Sequence, residues 1–174
     1  MEYYAMIEVY VSGLAFDTLG NSPVVLLKER DNDRVLPIWI GLNEASVIAM
    51  ELSGVIYKRP LTHDLVKSIL TGFNAVLQRV VISSLKDNTF YAKLYIVASS
   101  NSIIEIDARP SDSIAMALKM RSPIFVSEEL EDSMLLLSGP DSPTGDSADQ
   151  TDGPMDFGAR LRNIRPEDFG DFNS

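Results

Sequence analysis

Apolar and polar positions alternate from the start of the chain. Across residues 3–11, Ala5, Ile7, Val9 and Val11 share one face, the two-residue period of a strand. "LGNS" turns the chain into "PVVLLKER", a second strand, and "DNDR" turns it into "VLPIWIG", a third. These predict a meander. The period then lengthens. In "NEASVIAMELSG", Ala45, Ile48, Ala49 and Leu52 share a helical face, with Asn43 placed to cap and Gly54 to stop. In "RPLTHDLVKSILTGF", Leu65, Val66, Ile69, Leu70 and Phe73 form the stripe of a second helix, and this stripe is expected to be its buried side. "RVVISSL" and "TFYAKLYIV" flank "KDN", a hairpin signal. "IIEIDA" reads as a strand. "SDSIAMALKM" is a helix apolar nearly all round, which predicts burial on more than one side. "PIFV" and "SEELEDSMLLL" give a short strand and a last helix. The expected fold class is α+β: one compact domain over residues 1–137, with a mixed, mostly antiparallel sheet and three to four helices.

Residues 138–155 lack aromatic and branched aliphatic side chains and are dense in Ser, Asp, Gly and Pro, which predicts a flexible acidic linker. In residues 156–174, Phe157, Leu161 and Ile164 return at helical spacing, predicting a C-terminal tail with a short helix.

Charge and composition narrow the function. The net charge is −10; residues 138–174 hold eight acids and three bases, so the remaining 17 acids and 12 bases leave the body at −5. No Lys/Arg stripe supports tight non-specific binding to duplexes. There is no cysteine, which removes disulfides, thiolate catalysis and Cys-based zinc sites and fits a reducing compartment. The N-terminus has no basic signal region, and no apolar run is long enough to span a bilayer. The expectation is a cytoplasmic protein without membrane contact.

Candidate chemistry gathers in two echoing segments, "RPLTHDL" and "ARPSDSI", each with Arg-Pro, a hydroxyl residue and an Asp before a helical pattern. Thr62 and Ser111 stand where N-caps are expected, and Asp64 and Asp112 fall in the first turn, where they complement the helix dipole. Capping explains neither Arg59 and Arg109 nor His63, the only histidine. A helix start with free N–H groups beside an arginine is also an anion site. On a wheel at about 100° per residue, His63 lies roughly 90° from the centre of the apolar stripe, and Asp64 lies opposite it. His63 is then either a capping and packing residue or a general base. In the strand ahead of Arg109, Glu105 and Asp107 share a face. Asp107 at the strand end and Asp112 at the helix start are candidate oxygen ligands for Mg²⁺ or Mn²⁺; the plain alternative is a solvated strand face.

The motifs "LPIWIGLNEASVIAMEL", "RPLTHDL", "LKDNTFYAKL", "EIDARPSDSIAMAL" and "SPIFVSEEL", in this order, resemble the bifunctional nuclease family over most of the body. Ser113 stands where that family usually has Ala, and Asn88 where it usually has Gly. The resemblance implies an α+β fold, homo-oligomers, and cleavage of DNA and RNA; a dimer is the expected assembly and single-stranded nucleic acid the expected partner. Under that reading His63 is the general base, and Arg59 and Arg109 hold the phosphate with help from Thr62 and Ser111. Asp64, Asp107 and Asp112 then hold the divalent ion, and Glu44 is a secondary candidate. The alternative is a non-enzymatic oligomeric module whose Arg-Pro, His and Asp residues are structural or bind a small anion.

Overall fold

The second strand shows why the sheet lies at the centre. In Ser22–Glu29 (β2) five successive residues, Pro23 to Leu27, are buried, so both faces of the strand are covered. Val25 and Leu27 join the main core. Val24 and Leu26 join a smaller one on the reverse face with Ala15 and Val35. The computed structural model describes residues 5–54, 56–136, 161–164 and 166–169. β2 pairs antiparallel with Met6–Asp17 (β1) and with Arg34–Trp39 (β3), the expected meander. Val76–Lys86 (β4) and Thr89–Val97 (β5) form the expected hairpin. Asp87 and Asn88 both have positive φ at its turn, as a two-residue primed turn requires.

Ile103–Ala108 (β6) adds to β5, and Ile124–Ser127 (β7) joins the two halves, antiparallel to β1 and parallel to β4. Leu135–Leu136 (β8) pairs with β3 at the far edge. The sheet is therefore mixed and largely antiparallel, in the order β6-β5-β4-β7-β1-β2-β3-β8. In the tail, Leu161–Ile164 (β9) pairs with β1, and a 3-10 turn at Pro166–Phe169 packs against the first helix. Helical spacing placed Leu161 and Ile164 on a helix. They form a strand because β1 offers an open ladder beside Leu14–Asp17, and the helical part of the tail is the single turn after it. The linker 138–155 and Phe157 lie outside the described residues.

Leu42–Ser53 (α1) and Pro110–Met120 (α3) pack on one face of the sheet and on each other. Ile48 and Ala49 from α1 and Ile114 to Ala117 from α3 fill the main core against Leu36, Ile82 and Val126. α3 buries residues all round, as its composition implied. The last predicted helix is a 3-10 turn, Glu128–Ser133, whose Leu130 enters the core. Among the described residues no helix is long and apolar enough to cross a membrane.

Thr62–Gly72 (α2) departs from expectation. It packs on α3, yet none of its residues is buried. Leu65, Val66, Ile69 and Phe73 are exposed, Phe73 at 76%, and only Leu70 reaches the core edge. The helix is rotated so that polar residues face the body: Asp64 ion-pairs with Lys119, and Lys67 Nζ lies 3.5 Å from the Lys119 carbonyl. His63, predicted at the rim of the buried stripe, lies on this packed side with 17% of its side chain exposed.

Candidate functional site

Three helix starts define the site. α1 begins after Gly41, α2 after Leu61 and α3 after Arg109. The expected caps are shifted. Asn43 lies inside α1, Thr62 is the first residue of α2, and Ser111 follows Pro110 inside α3, so none of them caps. Pro110 explains the third case, because proline's fixed φ and missing N–H suit the first helical position itself. At α2, Asp64 Oδ2 accepts a hydrogen bond from the Leu61 amide at 3.0 Å, one half of a capping box.

Arg109 is the hub. Its Nε and Nη2 donate to the two oxygens of Asp112 at 2.7 and 3.1 Å, a bidentate fork, and Nη1 donates to Glu44 Oε1 at 2.8 Å. Asp112 and then Glu44 push the guanidinium pKa still higher. Glu44 reaches Arg109 from the first turn of α1, lying so close to Gly41 that a methyl group there would collide with its carboxylate. His63 Nε2 stands 3.6 Å from Asp112 Oδ1, beyond hydrogen-bond range but within ion-pair range when the ring is protonated. Asp112 thus lies between an imidazole and a guanidinium. These three, with Glu44, Thr62 and Ser111, line an open cleft of about 240 Å³.

A second cluster adjoins the first. Lys119, 12% exposed, ion-pairs with Glu51 at 2.6 Å and with Asp64. Burial pulls the Lys119 pKa down, but the two carboxylates outweigh it and leave the value raised. Lys119 holds Asp64 below the usual carboxylate range against a desolvation cost, with the Leu61 amide adding to the effect. A cleft of about 470 Å³ runs from His63 and Thr62 to this cluster, past Tyr57.

The structure brings His63, Arg109, Asp112, Thr62 and Ser111 to one cleft, with Asp64 on its neighbour. It does not bring Asp107 or Arg59 there. Ala92 and Ile96 of β5 point into the core on the helix side, so Lys93 and Asp107, paired across the ladder, lie on the reverse face. The strand ends at Ala108, which frees Arg109 from that alternation. Arg59 is exposed and makes no hydrogen bond or ion pair among the described residues. Asp107 and Asp112 therefore do not face one another as a ligand pair. Among the described residues no three His, Asp or Glu side chains stand together as a metal site, so the residues present do not fit a preformed divalent-ion centre. Sequence reasoning missed Lys119 and Glu51. The available signal was a lone lysine near the end of an otherwise apolar helix.

The comparisons with known proteins agree with the motifs. Residues 25–136 match the bifunctional nuclease domain. An uncharacterized protein of Mycobacterium tuberculosis is 40% identical over 163 residues, 93% of this chain and 97% of that protein. Bifunctional nuclease 1 of Oryza sativa subsp. japonica is 24% identical over 116 residues, 66% of this chain but 35% of the rice protein. Bifunctional nuclease 2 of Arabidopsis thaliana is 29% identical over 113 residues, 63% of this chain and 34% of that protein. The domain match spans well over half of the chain and covers all three helix starts that build the cleft, and the chain belongs to the bifunctional nuclease domain family.

Proposed function

We propose that the chain hydrolyses phosphodiester bonds in single-stranded RNA or DNA at the cleft between His63 and Arg109. The observation that carries the reading is the convergence of one imidazole, two carboxylates and one arginine at the start of α3, open to solvent. His63 accepts the proton of an attacking water or 2′-hydroxyl, and Asp112 steadies the resulting imidazolium. The attack forms one P–O bond and breaks another, and the leaving oxygen takes a proton from solvent. Arg109, whose side chain is 65% exposed, exchanges its carboxylate partners for the phosphate and meets its developing charge, with the first amides of α3 beside it. No step is assigned to a divalent ion, because Asp107 and Asp112 stand apart. The plant relatives are named as bifunctional nucleases, and that name supports the same class of substrate.

The test is cleavage of labelled single-stranded RNA and DNA with Mg²⁺, Mn²⁺ or chelator. Wild type, His63→Ala and Arg109→Ala are purified in parallel. Cutting by wild type that is lost in both variants is the expected result. Cutting that survives both substitutions refutes the site.

The second reading is a non-enzymatic oligomeric module, and the outward stripe of α2 favours it. Leu61, Leu65, Ile69 and Phe73 recur every four residues, a ridge that can pack against its own copy across a two-fold axis. With Val66 and Val76 they leave roughly 500 Å² of apolar side chain in water, near the upper end for a monomer. Two copies bring about 1,000 Å², the apolar share of a homodimer interface of about 1,500 Å², a standard size. Light scattering on wild type and on Leu65→Glu with Ile69→Glu tests this: a dimer that the substitutions make monomeric is expected, and a monomeric wild type refutes it. A dimer with no cleavage under any condition leaves this reading standing alone.

A further inference from the structure

The groove does not end at Lys119. The clefts around His63 and Lys119 share Thr62 and His63 with one another. Beyond Lys119 the path opens into a third cleft of about 540 Å³ that shares Glu51, Tyr57, Asp64 and Lys119 with the second. Lys58, Lys67 and Arg121 line this far end.

Three cations without an ion pair gather in this one cleft; Arg59, Arg79 and Lys86 also form none among the described residues, but they do not line it. With a net charge of −10 there is a surplus of carboxylates, and Lys28, Arg30, Arg34, Lys93, Arg109 and Lys119 all hold one. Lys58, Lys67 and Arg121 are exposed and form no ion pair among the described residues. Counting Lys119 against Glu51 and Asp64, the far cleft carries four cations and two anions, a local excess of positive charge on an acidic protein. Arg109 and Arg121 flank α3 at its two ends, so the path between the two arginines is roughly 18 Å. That length suits a few nucleotides of extended strand lying over α3.

We propose that Lys58, Lys67 and Arg121 form a phosphate-binding subsite that holds a single strand beyond the bond placed at His63. This rests on the nuclease reading of the His63 cleft and adds to it a minimum length of substrate. The cations were invisible as a stripe in the sequence because the loop before α2, the middle of α2 and the end of α3 each supply one.

The experiment measures binding apart from cutting. Fluorescence anisotropy follows labelled dT2 and dT8 in chelator, with wild type and with Lys58→Gln and Arg121→Gln combined. Both side chains are exposed, and a thermal melt checks that the fold is retained. Inorganic phosphate serves as competitor. For wild type, dT8 binds more tightly than dT2. In the variant, the slope of log affinity against log salt for dT8 is shallower by about 1.4, two phosphate contacts at about 0.7 each for single strands. The ratio of dT8 to dT2 affinity narrows accordingly. An unchanged slope and ratio overturn the subsite. Equal weakening of dT8, dT2 and inorganic phosphate overturns it in favour of a small-anion site. Length-dependent binding without cleavage keeps the subsite and sinks the nuclease reading. His63-dependent cleavage without length dependence does the reverse.

Discussion

Lys119→Met tests how α2 is held. The helix buries no residue, so its hold on the body rests on Leu70 at the core edge and on the polar contacts around Lys119. Methionine keeps most of the aliphatic stem and removes the charge. Glu51 and Asp64, with side chains 19% and 33% exposed, are then left facing each other without a cation. Removing one partner of a buried pair costs about 3–5 kcal/mol, and an exposed pair about 0–1 kcal/mol. Lys119 is 12% exposed but Asp64 sits a third in water, so the expected loss is about 2 kcal/mol. Urea unfolding of wild type, Lys119→Met and a triple variant that adds Glu51→Gln and Asp64→Asn measures it, at one protein concentration throughout. The triple variant should recover at least half of the loss, because it removes the orphaned charges. Hydrogen exchange should show protection falling first in α2 and not in β2. A loss below about 0.5 kcal/mol, or unchanged exchange in α2, refutes the reasoning. The pH dependence carries a sign. Asp64 titrates below its ordinary value, so its contribution is complete above about pH 4 and fades as acid passes the lowered pKa. Lys119 titrates above its ordinary value, so its share is complete below about pH 10 and is lost as alkali passes the raised pKa. The difference between wild type and Lys119→Met should be flat between these limits and shrink at both ends.

Three further substitutions probe other parts of the structure. Ser113 is fully buried and its hydroxyl has no partner among the described residues, so Ser113→Ala should raise stability by about 1 kcal/mol in thermal or urea unfolding. Trp39 Nε1 donates to Asp17 Oδ2 at 3.0 Å, and Asp17 is 1% exposed. Trp39→Phe deprives a buried carboxylate of that donor and should cost about 1–3 kcal/mol by the same measurement. Gly41→Ala should displace the Glu44 carboxylate from α1's first turn and release Arg109 Nη1, while Asp112 keeps Nε and Nη2; nuclear magnetic resonance of the Arg109 Nη1–H should shift, while that of the Arg34 Nη1–H, held by Glu131, should not.

Much of the fold was legible because a period of hydrophobicity follows from the geometry of one element alone. The meander, the hairpin at Asp87 and Asn88 and the buried α3 all came through that way. The orientation of α2 did not, for a physical reason. Leu65, Val66, Ile69 and Phe73 announce that one side of the helix avoids water, but periodicity does not say whether the neighbour on that side belongs to the same chain. The competing polar seam of His63, Asp64 and Lys67 was legible only with Lys119, which lies 55 residues from Asp64. The tail strand failed similarly: Leu161 and Ile164 fit a helix locally, and the open ladder on β1 decided otherwise.

The two Arg-Pro segments show how a small difference in spacing separates a site from an echo of one. In the second, Arg109 is the N-cap and Pro110 the first helical residue, so Asp112 follows the arginine by three positions. Residues three apart near a helix start share a face, and the guanidinium closes on the carboxylate in a fork. In the first, Leu61 and not Pro60 precedes the helix, and five positions separate Arg59 from Asp64. That spacing leaves Arg59 in solvent and turns Asp64 towards Lys119. The extra residues bring His63 instead, and it is this imidazole that α2 carries to Asp112. One segment thus contributes the arginine and carboxylate and the other the histidine, so the cleft requires both helices in place. Distant positions should therefore depend on one another. Lys119 forms no hydrogen bond or ion pair with Arg109 or His63 among the described residues, yet by anchoring α2 through Asp64 it sets the distance between His63 and Asp112. The nuclear magnetic resonance chemical shifts of the His63 ring should therefore respond to Asp112→Asn in wild type and lose most of that response in Lys119→Met. An equal response in both backgrounds would mean that α2 holds its place without Lys119.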